Sequence, residues 1–106
     1  MTLTDDAITF LRASDLRTVG LQDFADKSGA PAEKIRKMLA AAGNSWQRLL
    51  VDERQRRCAD ALARNPHIGL DELTDVCGYS QRSTMQATFE AWYDQPISEW
   101  RRERLG

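Results

Sequence analysis

The sequence has no surplus of positive charge. Its 106 residues carry 15 Lys and Arg against 16 Asp and Glu, for a net charge of −1. The basic excess that advertises a phosphate partner is therefore missing from the total. Long apolar runs are missing too, and nothing approaches the ~20 residues that a membrane-spanning helix needs. The segment Met1 to Phe10 holds Asp5 and Asp6 and lacks a basic region followed by an apolar one, so no signal peptide is expected and the location expected is cytoplasmic. Cysteine is scarce: Cys58 and Cys77 stand far apart, and neither belongs to a CxxC pair. With the lone His67 they fall short of the roughly four ligands of a structural zinc site, so no metal and no cofactor is expected. Both cysteines fall in helical patterns and are expected as small buried thiols. His67 has no Ser or Cys partner in a recognisable arrangement, and neither a phosphate loop nor a paired-carboxylate site stands out. The chain is not expected to be an enzyme.

Apolar residues instead recur at helical spacing nearly throughout, and no stretch alternates long enough to argue for a strand. Thr4 is expected to cap a first helix over 5–13 that buries Ile8 and Leu11. A short second helix over 21–28 shows Leu21, Phe24 and Ala25 on one face and stops at Gly29. Pro31 suits the first turn of a third helix through Ala42, with Ile35 and Leu39 one turn apart, and Gly43 ends it. Ser45 opens the longest helix, over 45–64, with Trp46, Leu49, Leu50, Cys58, Ala61 and Leu62 expected along one side. Asp52–Arg56, Glu53–Arg57 and Asp60–Arg64 are expected as i, i+4 pairs on its solvated face. Asn65 and Pro66 break it. A fifth helix carries Leu70, Leu73 and Val76 before Gly78, and a sixth carries Met85, Phe89, Trp92 and Tyr93. A last helix follows Pro96, with Ile97 and Trp100 inside. The fold class expected is all-α, with about seven helices.

Two of these segments repeat. Leu21, Phe24, Asp26 and Gly29 match Leu70, Leu73, Asp75 and Gly78 at an offset of 49. Ile35 and Leu39 match Met85 and Phe89 at an offset of 50. Each copy reads as a short helix, a tight glycine turn and a longer amphipathic helix, which is the helix-turn-helix unit. Two αα-hairpins of an ordinary helical bundle would be the bland equivalent. The subdomains expected are 1–44 and 67–106, bridged by a connecting helix over 45–66. At ~1.5 Å per residue that helix would span ~30 Å, close to the ~34 Å between successive major-groove faces on one side of B-DNA.

Residues Gly43, Ser45, Trp46, Leu49, Leu50, Arg54, Cys58, Ala61 and Leu62 resemble the linker region G-x-S-F-x-x-Y-L…R…A…L-L of the AraC/XylS transcription regulators. Leu73, Gly78-Tyr79-Ser80, Ser83, Met85, Phe89 and Ser98-Glu99-Trp100-Arg101 resemble the signature of that family's C-terminal DNA-binding domain. The resemblance covers about residues 5–103. It implies two helix-turn-helix subdomains bridged by a long helix, sequence-specific promoter binding, and contact with RNA polymerase. At this length the family's usual N-terminal domain is not expected. The chain resembles stand-alone members, for which no small-molecule effector is implied, and a monomer is expected. The departures are Ala87 for the family's arginine in the second recognition helix, Glu90-Ala91 for a basic pair, Asp94 for a glycine, and Pro96-Ile97 one position early. Lys37 replaces an arginine in the first unit.

Resolved by segment, the neutral total hides a gradient. Residues 1–43 balance at six of each sign, 44–69 carry +2, and 70–106 carry −3. Lys34, Arg36 and Lys37 cluster on the first candidate recognition helix, with Lys27 just before the turn. Glu33 can accept from a cytosine amino group, while Lys34 or Arg36 can reach guanine edges or phosphates; a merely solvated basic face reads the same way. In the second unit the groove-facing candidates are Gln81, Arg82, Thr84, Gln86 and Thr88, with Ser80 either a phosphate ligand or a helix cap. Trp46, Trp92 and Trp100 fit core packing better than a stacking platform for single strands. The function expected is sequence-specific binding of double-stranded DNA through two recognition helices in adjacent major grooves, the first dominant. The alternative is a protein-interaction module that occupies another regulator or RNA polymerase, motivated by the acidic set Asp71, Glu72, Asp75, Glu90 and Asp94.

Overall fold

In the computed structural model, which describes residues 2–105, the regular structure is helical and contains no strand among the described residues. The elements are α1 (Leu3–Arg12), α2 (Leu21–Ser28), α3 (Ala32–Ala41), α4 (Trp46–Arg64), α5 (Leu70–Cys77), α6 (Arg82–Tyr93) and α7 (Ile97–Leu105). The all-α, seven-helix class is thus the one observed. Two compact units divide the chain, Met1–Glu53 and Arg54–Gly106, so the boundary falls inside α4.

The first unit begins two residues earlier than its periodicity suggests. Thr2, not Thr4, caps α1: its Oγ1 accepts from the Asp5 N–H at 3.1 Å, and Asp5 Oδ2 accepts from the Thr2 N–H at 3.3 Å. Such a box needs a side-chain acceptor three residues on, and Thr4 would find Ala7 there. Ala7 and Leu11 are fully buried, and Ile8 packs partly buried against them. From α2 come Phe24 and Ala25, from α3 come Ile35 and Leu39, and from α4 come Leu49 and Leu50. Fully burying each large member of this set is worth ~1.5–3 kcal/mol, which is why α2 and α3 stay crossed rather than separate. Trp46 stacks on Phe24 with ring centres 5.9 Å apart and lies 6.4 Å from Phe10, so it is a packing residue.

Glu53 departs from the solvated face expected of it. Its side chain is 4% exposed, and Oε1 lies 3.7 Å from Arg12 Nε at the end of α1. A buried carboxylate needs a cation, and here α1 supplies it. By contrast, Arg64 and Asp60 do pair at 3.3 Å on the exposed surface.

In the second unit the later part of α4 contributes Cys58 and Leu62 to a separate core with Leu73, Cys77, Met85, Phe89 and Ile97. The apolar residues of α4 are therefore divided between two cores. In α5 the buried set is Leu73, Thr74 and Cys77, while Val76 is 36% exposed, contrary to the expected apolar face. At about 100° per residue, Cys77 lies 40° from Leu73 and Val76 lies 60° to the other side, away from Thr74. Thr74 satisfies its hydroxyl by donating to the Leu70 carbonyl at 2.7 Å. Cys58 and Cys77 are buried thiols without a disulfide, as their positions suggested. The hydrogen bond between them and their burial hold the Cys77 thiol well above its ordinary pKa. Phe89 meets Tyr93 at 4.5 Å and Trp100 edge-on at 6.0 Å, and Trp92 packs beside this core.

Candidate nucleic-acid interface

Both helix-turn-helix units are shaped by the same backbone event. Gly29 and Gly78 adopt the left-handed conformation, with φ of 72° and 83°. The next residue then donates five positions back: Ala30 N–H to the Ala25 carbonyl at 3.3 Å, and Tyr79 N–H to the Thr74 carbonyl at 3.0 Å. This is the Schellman closure, which glycine enters without a Cβ penalty. Upstream, Asp23 Oδ2 accepts from the Gly20 N–H at 2.7 Å and fixes the start of α2. Downstream, Pro31 stands at the N-cap of α3, just outside the first turn expected for it, and Gln81 stands at the N-cap of α6. Ser80 therefore lies exposed one residue before that cap and does not cap the helix.

Ile35 and Leu39 point α3 at its core, which leaves Glu33, Lys34, Arg36, Lys37 and Met38 exposed. Lys37 lies opposite the buried seam, with Glu33 and Lys34 beside it, at about 100° per residue. Arg36 sits on the flank, where Nη1 donates to Glu33 Oε2 at 2.8 Å. Two lysines and one internally paired arginine thus share the outward surface of a single helix. Lys27 is drawn elsewhere: its Nζ stands 5.8 Å from the centre of the Phe10 ring.

Met85 and Phe89 orient α6 in the same way. The outward positions equivalent to Glu33, Lys34 and Lys37 are Ser83, Thr84 and Ala87, all exposed. Ser83 is not among the groove-facing candidates that spacing suggests, although the offset of 50 points to it. Gln81 and Arg82 are exposed, Gln86 is half-buried, and Arg82 and Gln86 lie toward α5 and α7. Arg82 donates from Nε at 3.1 Å and from Nη2 at 2.8 Å to one oxygen, Asp71 Oδ1. Gln86 borders a cavity of about 330 Å³ together with Leu70, Pro96 and Arg101. Thr88 turns its hydroxyl inward along the helix, donating to the Thr84 carbonyl at 2.8 Å. The outward face of α6 is consequently neutral where that of α3 is basic.

Beyond these faces, Arg101 Nη2 donates to the Ile68 carbonyl, tying α7 to the segment before α5. The Arg54 guanidinium covers the buried Tyr79 ring at 4.6 Å. Asp94 closes α6 in the left-handed conformation, with φ of 59°, at the place where the resembling family has glycine. His67 lies exposed in a turn in which its N–H donates to Asn65 Oδ1 at 3.1 Å. Among the described residues no group of three His, Cys, Asp or Glu could hold a metal ion, and no helix is long and apolar enough to cross a membrane.

Comparison with known proteins places this geometry. No protein-family model matches the chain. The HTH-type transcriptional regulator VqsM of Pseudomonas aeruginosa is 33% identical over 67 residues, which are 63% of this chain and 20% of that protein. The match thus spans about a fifth of the relative's length. Among solved structures, a DNA-binding transcriptional dual regulator from Escherichia coli K-12 superposes with a TM-score of 0.85 at 16% identity, covering 97% of this chain and 98% of that one. The transcriptional regulator CdpR of Pseudomonas aeruginosa gives 0.76 at 20% identity, covering 94% of this chain and 31% of that one. At these identities the likeness is one of fold, and it is shared with proteins described as transcription regulators.

Proposed function

We propose that this chain is a sequence-specific DNA-binding transcription regulator of the AraC/XylS type, with α3 its dominant recognition helix and α6 a weaker second one. The observation that carries the reading is the outward face of α3, where Lys34 and Lys37 stand exposed on the second helix of a helix-turn-helix unit. Kinship with a named transcription regulator and the fold shared with two others support it.

In this reading Lys34 and Lys37 neutralise phosphates and seat α3 in the major groove, and Glu33 accepts from a cytosine amino group. Arg36, held by Glu33, offers its remaining N–H groups to a guanine or a phosphate. Ser80, Gln81, Ser83, Thr84 and Gln86 supply neutral hydrogen bonds from the second unit, in which Arg82 is the cation of α6. The reading carries with it a cytoplasmic monomer that acts through RNA polymerase or another regulator.

A salt titration tests it. With about 0.9 of slope per neutralised phosphate, replacing Lys34 and Lys37 by Gln should flatten the dependence of log K on log salt by about 1.8 and weaken binding to any duplex. Wild-type protein that binds no duplex even at low salt would overturn the proposal. The exposed acids of α5 would then favour a protein partner.

A further inference from the structure

We infer that Asp71 attenuates DNA binding by the second unit, holding Arg82 in an internal pair and cancelling the one positive charge in the sequence of α6. The inference rests on the DNA-binding reading proposed above and concerns how strongly α6 takes part in it. Within α6, the segment RSTMQATFEAWY has a single Lys or Arg, Arg82, and one acid, Glu90. The outward positions Ser83, Thr84 and Ala87 bring no charge, so electrostatic attraction between this helix and a phosphate depends on Arg82.

That guanidinium is engaged. Its Nε and Nη2 both donate to Asp71 Oδ1, at 3.1 and 2.8 Å, which occupies one edge of the planar fork. Asp71 comes from the first turn of α5, where an acid is favoured by the helix dipole. A phosphate that approaches Arg82 thus meets this carboxylate, and the two anions compete for one cation. The side chains are 50% and 84% exposed, so the pair is weak enough to be broken by a single substitution without loss of the fold. The first unit contains a contrasting arrangement. There the internal pair Arg36–Glu33 leaves Lys34 and Lys37 on the same helix, so pairing of one arginine does not silence the face.

Asp71→Asn keeps the shape and removes the charge. Fluorescence anisotropy with a short random duplex, from low to physiological salt, should show Asp71→Asn binding about 3–10-fold tighter at low salt, with a slope steeper by about 0.9 as Arg82 takes up one phosphate. Arg82→Gln alone uncovers the Asp71 carboxylate and should bind no more tightly than wild type, and the double variant, which removes both charges, should return to within about twofold of wild type. Glu72→Gln removes a neighbouring exposed charge and should change affinity by less than about twofold, which separates the pair from a general loss of acidity. The inference is overturned if Asp71→Asn binds as wild type does, if its gain survives in the double variant, or if Glu72→Gln matches it. Wild type and Asp71→Asn that both fail to bind duplex, with intact far-UV circular dichroism, would instead overturn the DNA-binding reading, and the inference with it.

Discussion

Gly29→Ala isolates the turn that makes the first helix-turn-helix unit. Gly29 sits at φ 72° and ψ 21°, and a Cβ built there meets nothing within 4 Å. The substitution therefore creates no clash with neighbouring atoms, and its cost is confined to the backbone. A Cβ in the left-handed conformation costs about 1–2 kcal/mol against its own carbonyl. Alanine also narrows the unfolded ensemble, which returns about 0.4–1 kcal/mol. The net expectation is a destabilisation of roughly 0.5–1.5 kcal/mol, or about 3–10 °C in melting temperature. Thermal and urea unfolding followed by far-UV circular dichroism measure it. Gly29→Asn should lose less than alanine, because Asn tolerates this conformation. Gly69→Ala is the control: it also has nothing within 4 Å, but its φ is −63° and its change should stay within about 0.5 kcal/mol. A Gly29→Ala protein that melts at or above wild type would refute the claim that positive φ is what the α2–α3 turn requires of this residue.

Other consequences can be checked in the same assays. Asp94→Asn removes a negative charge from the C-terminus of α6 while keeping a side chain that accepts the left-handed backbone, and should stabilise by about 0.3–1 kcal/mol in a urea titration at low salt. Phe89→Ala empties a site that is 0% exposed and contacts Tyr93 and Trp100, so a loss of about 3–5 kcal/mol is expected, seen as unfolding of second-unit helices at temperatures where wild type is folded. Cys77 is held protonated in the folded protein, by its bond to Cys58 and by burial, whereas in the unfolded chain it ionises near its ordinary value. Above about pH 9 the unfolded state releases a proton that the folded state keeps, so stability should fall by up to about 1.4 kcal/mol per pH unit, and Cys77→Ala should remove that component of the slope.

The two glycine turns are legible in the amino-acid order because their causes are local. A glycine followed by a restart of helical periodicity implies a left-handed closure, and Gly29 and Gly78 both show it. The buried seams Ile35/Leu39 and Met85/Phe89 are legible for the same reason, since residues four apart on a helix share a face whatever surrounds them. Val76 is misplaced by periodicity because alternatives one residue apart, Val76 and Cys77, are both apolar, and only the direction of packing chooses between them. For the candidate DNA-contacting residues the spacing names the helices α3 and α6 and a basic character for α3. It does not separate the outward Lys37 from the flanking Arg36, nor does it single out Ser83.

The sequence alone therefore determined the all-α class, the seven helices, the repeated helix-turn-helix pattern and the gradient from a basic α3 to an acidic final third. These follow from contacts within a turn or two of chain. Only the tertiary structure decided which charges meet: Glu53 buried against Arg12, Arg82 held by Asp71, and Lys27 laid over Phe10. Such pairings join distant segments, and their existence depends on where packed helices bring side chains, which spacing along the chain does not encode. A count of charges treats every arginine alike. The folded chain engages Arg82 internally and leaves Lys34 and Lys37 exposed on the outward face of α3.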